Sequence, residues 1–152
     1  MQLDTITSTD LLARADHGIL ATRHEDRGVD AVPVCFTLTA PGLVIPVDVV
    51  KPKRSTDLGR TRNLGLDPRA VLLVEGWDHA DWSRLWWVRT HLRQVHLDDE
   101  TRETAANRLR AAYPPYRDAD FADLLGFEII ATTGWAASAA AVATGRSSPR
   151  RP

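Results

Sequence analysis

The chain has 152 residues with a formal net charge of -1, and is 43% hydrophobic and 26% charged. These values fit one folded domain with a real core, and they argue against bulk binding to nucleic acid or to a membrane surface, which needs a strongly basic face. One cysteine, Cys35, excludes an intramolecular disulfide and a cysteine-built metal site within the chain, and suits a reducing cytoplasm, the expected location.

No apolar run reaches the ~18 residues of a membrane span, and the N-terminal Met-Gln-Leu-Asp-Thr lacks the basic-then-apolar pattern of a signal peptide. Thr9 or Ser8 is placed to cap a short helix through Leu11, Leu12 and Ala15, with Gly18 just past its end. Ile19 to Thr22 predicts a strand, the cluster Glu25-Asp26-Arg27-Gly28 a turn, and Val29 to Leu38 a second strand with Val32, Val34 and Phe36 on one face. Pro33 cannot donate to a ladder, so that position is expected at an edge, a bulge or a cavity. After the Ala40-Pro41-Gly42 turn, Leu43 to Val47 predicts a third strand, broken at Pro46.

Ser55 or Thr56 then caps a predicted helix to about Leu64, closed near Gly65 and stopped by Asp67-Pro68. Ala70 to Glu75 is a fourth strand whose unbroken Val-Leu-Leu-Val suggests burial on both faces. A polar-aromatic connector, Trp77 to Ser83, leads to a long fifth strand, Leu85 to His96. Asp98 or Asp99 caps a helix through Leu109 and Ala112, ended by Tyr113-Pro114-Pro115-Tyr116. Phe121 to Leu125 suggests a helical turn, Phe127 to Thr132 a sixth strand, and Gly134 to Ser138 an extension of the sheet. Ala136 to Ala143 is too alanine-rich to assign between helix and strand. Residues 1–143 are expected to form a single domain and 144–152 a disordered tail. Short strands joined by hairpin-like turns predict a mainly β protein, an antiparallel barrel with helices packed at its rim.

The chemistry-bearing stretch lies between the third and fourth strands, in residues 51–62, where Lys51, Lys53, Arg54, Arg60 and Arg62 gather against a single acid, Asp57. Several cations just before a helix suit a phosphorylated ligand, since the helix N-terminus also favours an anion. Arg60 and Asn63 share a helix face, whereas Arg62 lies about 200° around from Arg60. A solvated charged helix is the bland alternative. The run Asp81-Trp82-Ser83-Arg84-Leu85-Trp86-Trp87-Val88-Arg89 is dense in tryptophan; a strand there would send Trp86 and Trp87 to opposite faces and leave Trp82 free to cover a planar ring. Core and dimer packing is the competing explanation. The five histidines show no metal-ligand spacing, so no metal site is expected, and no nucleophile motif, dinucleotide fingerprint or P-loop occurs. Cys35 reads as a small buried hydrophobe. No catalytic side chain is identified, and a bound cofactor would have to carry any reaction.

The series Leu-Leu-Ala-Arg-Ala-Asp-His-Gly-Ile-Leu-Ala-Thr, Val-Pro-Val-Cys-Phe, Lys-Pro-Lys-Arg, Arg-Asn-Leu-Gly-Leu-Asp-Pro-Arg-Ala-Val-Leu-Leu-Val-Glu and Asp-Trp-Ser-Arg-Leu-Trp-Trp-Val-Arg resembles the actinobacterial F420-dependent oxidoreductases of the pyridoxamine 5'-phosphate oxidase-like (PPOX class) superfamily. The likeness covers about residues 8 to 117. It implies an FMN-binding-like split β-barrel, an antiparallel six-stranded Greek-key barrel with flanking helices. It also implies a homodimer with two cofactor sites at the subunit interface, coenzyme F420 (alternatively FMN) as cofactor and a conjugated small molecule as hydride acceptor. By the same resemblance, Lys53 and Arg60, with Lys51 and Arg54 adjacent, would hold the cofactor phosphate. Backbone of Val32, Pro33 and Val34 and of Pro46, Val47 and Asp48 would approach the ring, and Trp82 would lean over the site from the partner chain. A binding or carrier role without turnover is the alternative from another class. Phe121 to Ala143 lacks the charged, alternating final strand that the resemblance leads one to expect.

Overall fold

The structure, a computed structural model, describes residues 1–40, 42–48 and 59–143, with Asp48 described in its backbone alone. The predicted caps Ser55 and Thr56, the cations Lys51, Lys53 and Arg54, and the predicted tail 144–152 lie outside the described residues.

Among the described residues, eight strands and four α-helices follow in the order β1 (Gln2–Leu3), α1 (Thr5–Arg14), β2 (Gly18–His24), β3 (Gly28–Val34), β4 (Thr37–Leu38), β5 (Gly42–Asp48), α2 (Gly59–Leu66), β6 (Arg69–Gly76), β7 (Trp86–Val95), α3 (Asp99–Ala112), β8 (Phe121–Ala136) and α4 (Ala139–Ala143). Six strands are long; β1 and β4 are two-residue additions. Every pairing is antiparallel, in the order β3-β2-β6-β7-β8-β5-β4, with β1 on β8. The two ends of that path, β3 and β4, are consecutive in the chain and separated only by Cys35 and Phe36. The sheet must therefore curl back on itself, which makes the expected antiparallel barrel.

A phenol pins this seam. The Tyr113 hydroxyl lies 2.6 Å from the Asp16 carbonyl and 3.0 Å from that of Phe36, and Arg108 donates to the Leu38 carbonyl at 2.7 Å. The C-terminal turns of α3 thus tie the α1–β2 loop and the β3–β4 link together. Burial pushes the Tyr113 pKa up to about 12, so the phenol keeps its proton as donor.

The barrel interior is filled by Leu20, Leu43, Ile45, Leu72, Val74, Val88, Leu92 and Phe127, with Leu11 and Leu12 of α1 and Leu64 of α2 packed into the same cluster. A second cluster, Val44, Leu97, Ala105, Leu109, Tyr116 and Leu124, seats α3 on the outside of β5 and β8. The doubly buried strand is therefore β5, where Leu43, Val44 and Ile45 are all fully buried. This corrects the expectation for β6. There Ala70, Leu72 and Val74 face the core, while Leu73 is 37% exposed on the outer face.

Other expectations shift for local physical reasons. Helix α1 starts before Ser8, because the Asp4 carboxylate accepts from Thr7 N at 2.7 Å and caps it; Ser8 is buried inside the helix, which ends at Ala15, short of Gly18 as expected. The second predicted strand is interrupted at Cys35–Phe36, where the chain passes to the other edge of the sheet. Pro33 sits on the edge strand β3, exposed, as its missing donor requires. Pro46 does not break β5. The short β4 pairs only with Leu43 and Val44, so a residue without an N–H is tolerated further along that side. Phe121 to Leu125 is strand, not helix, because β5 recruits it: Pro46 pairs with Leu124 and Ile45 with Leu125. The strand continues through the predicted sixth strand to Ala136, and the alanine run after Ser138 becomes α4.

The joint between α2 and β6 is held by Asp67, whose carboxylate accepts from Arg69 N, Nε and Nη2 at 3.1, 2.9 and 2.7 Å and lies 3.7 Å from Arg23 of β2. The Arg69 hydrogen bonds hold this carboxyl far below the usual carboxylate range. A carboxylate whose pKa is depressed by folding stabilises the fold above its unfolded value of about 3.9, and loses that contribution as pH falls. Asp67→Asn is therefore expected to lower the thermal midpoint near neutral pH, with the gap to wild type narrowing below about pH 4. Circular dichroism melts at the two pH values check this, and a gap that is constant with pH contradicts it.

Candidate functional site

Helix α2 is placed by Asn63, a buried residue whose amide Nδ2 donates to Thr22 Oγ1 of β2 at 3.0 Å and to Asp30 Oδ2 of β3 at 3.1 Å. A polar group this deep is tolerated because both partners are present. The Asn63 hydrogen bond, with Arg27 as a second donor, holds the Asp30 carboxyl below its ordinary pKa. Arg27 itself belongs to the β2–β3 turn, where Gly28 takes a φ of +86° and His24 Nδ1 accepts from the backbone of Asp26 and Arg27. His24 thus supports the turn; no cluster of three or more potential metal ligands occurs among the described residues.

With α2 anchored on that side, Arg60 turns towards β5. Its Nη2 donates to the Pro46 carbonyl at 3.2 Å, and the side chain is half-buried. Arg60 and Asn63 share the sheet-facing side, as their spacing predicts, while Arg62 is exposed on the other. Asn63 does not face an open site, however; it is the tether that positions Arg60. Helix α2 thus bridges β3 and the end of β5, and brings a cation to the backbone of Pro46 and Val47. Val32 is half-buried, Val34 and Val47 are buried at 6% exposure each, and Pro33 stands exposed on the edge strand. Asp48 ends β5 at a register shift against β8.

Trp82 is not brought to this group within one chain. Thr22, the partner of Asn63, pairs with Ala70 near the start of β6, and Trp82 follows Gly76 at the other end. Six residues of strand put about 20 Å between the two levels. Trp82 lies in a short 3-10 turn, Trp82–Arg84, and is 66% exposed. Trp86 is buried at 8% and Trp87 lies half-buried on the opposite face, as strand alternation predicts. Sequence reasoning missed Trp77, which is 58% exposed with its ring centroid 5.7 Å from that of Trp82. Two tryptophans on either side of a short turn with Asp78 and Asp81 were the available signal.

The outer face of the sheet beside these strands is apolar for an exposed surface. Pro33, Ile19, Leu73 and Arg89 line up across β3, β2, β6 and β7, and Ala31, Ala21, Val71 and His91 form the next row. Ile19 and Leu73 are 38% and 37% exposed.

Six long antiparallel strands rolled into a barrel, with helices at its ends and α3 on one flank, define a split β-barrel of the FMN-binding-like type. No protein-family model matches the sequence, and no curated protein matches it. Solved structures do resemble the fold. A FAD-binding protein from Mesorhizobium loti is 17% identical with a TM-score of 0.61, over 88% of this chain and 93% of that one. The FAD binding protein from Mycobacterium smegmatis is 14% identical with a TM-score of 0.56, over 89% and 96%. A conserved protein from Mycobacterium tuberculosis is 15% identical with a TM-score of 0.69, over 99% and 91%. Identities this low establish the fold alone. No helix among the described residues is long and apolar enough to cross a membrane.

Removing the tether should loosen α2 before anything else. Asn63→Ala leaves Thr22 and Asp30 without their buried donor, and is expected to cost about 1–3 kcal/mol of stability. A urea titration measures this; an unchanged midpoint would mean that the amide does not hold the helix.

Proposed function

We propose that the protein is an oxidoreductase that binds the deazaflavin F420 and passes a hydride from its reduced form to a conjugated small-molecule acceptor. The observation that carries this reading is Arg60, a half-buried guanidinium held against the β5 backbone beside an edge strand. That arrangement fits an anionic, ring-bearing cofactor: a cation for a phosphate, and flat strand backbone for the ring. The sequence resemblance favours F420, and the similar structures named for FAD binding lend weight to a flavin such as FMN as the second reading. A carrier without turnover is the third.

In this reading Arg60 neutralises the phosphate, joined by Lys53, Lys51 and Arg54 of the neighbouring segment. Val32, Pro33 and Val34 and the backbone of Pro46, Val47 and Asp48 orient the ring and keep water from it. When bound, the reduced cofactor supplies the hydride, and the chain contributes binding, orientation and electrostatics. The acceptor is a small molecule, and neither nucleic acid nor membrane is a partner.

We further infer a homodimer with cofactor sites at the interface. Arg60 and Trp82 lie at opposite ends of the sheet, so one site can use both only if they come from different subunits. The apolar rows through Ile19, Leu73, Ala21 and Val71 are the surface that a second copy would cover.

Quenching of F420 fluorescence by the wild-type protein is expected to give a Kd on the order of micromolar or tighter. Arg60→Ala should weaken it at least about ten-fold, and Lys53→Ala with Arg60→Ala should abolish it. A yellow protein on purification that does not quench F420 would assign FMN instead. Tight binding without oxidation of the reduced cofactor by quinones, enones or tetrapyrroles would leave a carrier. For the assembly, Leu73→Glu places a charge in the apolar row and is expected to convert dimer to monomer in analytical ultracentrifugation. A monomeric wild type would contradict the two-chain site.

A further inference from the structure

All five tryptophans of the chain, Trp77, Trp82, Trp86, Trp87 and Trp135, belong to one end of the sheet. Trp86 fills the core there, and Trp87 pairs across the strands with Trp135. Trp77 and Trp82 stand beyond the strand ends, both more than half exposed, with their rings tilted at 48°. Large aromatic side chains left open to water in this way mark a contact surface.

The turn that carries them is braced. Asp81 accepts from Ser83 N at 3.0 Å and from Ser83 Oγ at 2.6 Å, Arg84 pairs with Asp78 at 3.6 Å, and Ser138 Oγ donates to the Ser83 carbonyl at 2.8 Å. Ala137 N donates to the Leu85 carbonyl at 2.8 Å, and the Trp86 indole packs so closely on Gly76 that no β-carbon fits there. These bonds fix the bases of the two indoles and occupy the local cation. Asp78 and Arg84 neutralise each other, and the Asp81 carboxylate stays ionised while it accepts from Ser83 within the turn. What the turn offers a ligand is two π faces without a cation to grip an anion. The rings are too close to admit a third between them, since a stacked sandwich needs about 7 Å between the outer rings. A ligand can lie on the open face of one indole and meet the edge of the other.

We propose that Trp77 and Trp82 form an aromatic corner that stacks a flat, uncharged, fused-ring acceptor, with Trp77 setting the preference for planarity. This rests on the reading of Trp82 as part of a two-chain cofactor site, and it adds a residue and a ligand shape to that site. The saturated bicyclic counterpart of such a ring is puckered, loses face-to-face contact with the indoles, and is discriminated against on shape alone.

The test is equilibrium dialysis of the full-length protein with two probes. One is a dimethylnaphthoquinone, flat and blocked against thiol addition at Cys35; the other is decalone, a puckered ketone of similar size. No cofactor is needed, so the result stands whichever cofactor the protein holds. Naphthoquinone binding is expected to weaken about ten-fold in Trp77→Leu and to return in Trp77→Phe. Decalone binding should stay weak and unchanged, with oligomeric mass as in wild type. Equal naphthoquinone binding by wild type and Trp77→Leu overturns the proposal, as does parallel loss of both probes. A changed oligomeric mass in Trp77→Leu also overturns it, by assigning the pair to subunit packing. Failure of the wild type to bind F420 or FMN refutes the cofactor reading instead, and is seen in a separate measurement.

Discussion

One buried amide decides where Arg60 lies. Asn63 can satisfy its donors only by facing Thr22 and Asp30 together, which fixes the rotation of α2 about its axis and its height on the barrel. The helix period then dictates the rest. Arg60, three residues earlier, must look along the same side and finds the carbonyl of Pro46. Arg62 must look away. Asp67 locks the exit of the helix to β6 and, through Arg23, to β2. The position of Arg60 is therefore a consequence of packing, and pre-organisation of this kind would lower the ordering cost of binding at the proposed site.

The same sheet carries the other half of the account at its far end. Register is strict along β2, β6 and β7, so the level of Thr22 and Ala70 cannot approach the level of Gly76 and Trp86 without breaking the ladder. A single barrel thus presents a cation at one level and exposed tryptophans at the other, with apolar rows between them on the outer face. Two copies joined through those rows by a two-fold axis perpendicular to the strands would bring unlike ends together. The seam at Cys35–Phe36, pinned by Tyr113 and Arg108, keeps the barrel rolled and the two ends at a fixed separation.

Much of this fold was legible in the sequence where local chemistry and burial agree. Gly28 after an acidic turn, Pro33 on an edge, the Asp98 cap of α3 and the division of Trp86 and Trp87 between two faces all follow from one or two residues. Legibility failed where a partner strand decides. Phe121 to Leu125 has a helical look by itself, yet β5 offers it a complete ladder and two apolar faces to bury. The double burial of β5 could not be told from the single burial of β6, because both are short runs of aliphatic residues. Of the site, the spacing of Arg60, Arg62 and Asn63 was readable. That Asn63 is a tether was not, since its partners lie 41 and 33 residues away. The neighbouring cations Lys51, Lys53 and Arg54 lie outside the described residues, so Arg60 alone carries the structural argument for that segment.

The central claim is that one cofactor site draws on Arg60 of one subunit and Trp82 of the other. The most direct measurement mixes two variants impaired in F420 binding, Lys53→Ala with Arg60→Ala and Trp82→Ala, under conditions that let subunits exchange, and counts full-affinity F420 sites by fluorescence quenching. A site shared between subunits predicts that each mixed dimer regains one intact site, about a quarter of the wild-type capacity for an equal mixture at random exchange. A mixture that binds no more than the two variants apart would contradict the account.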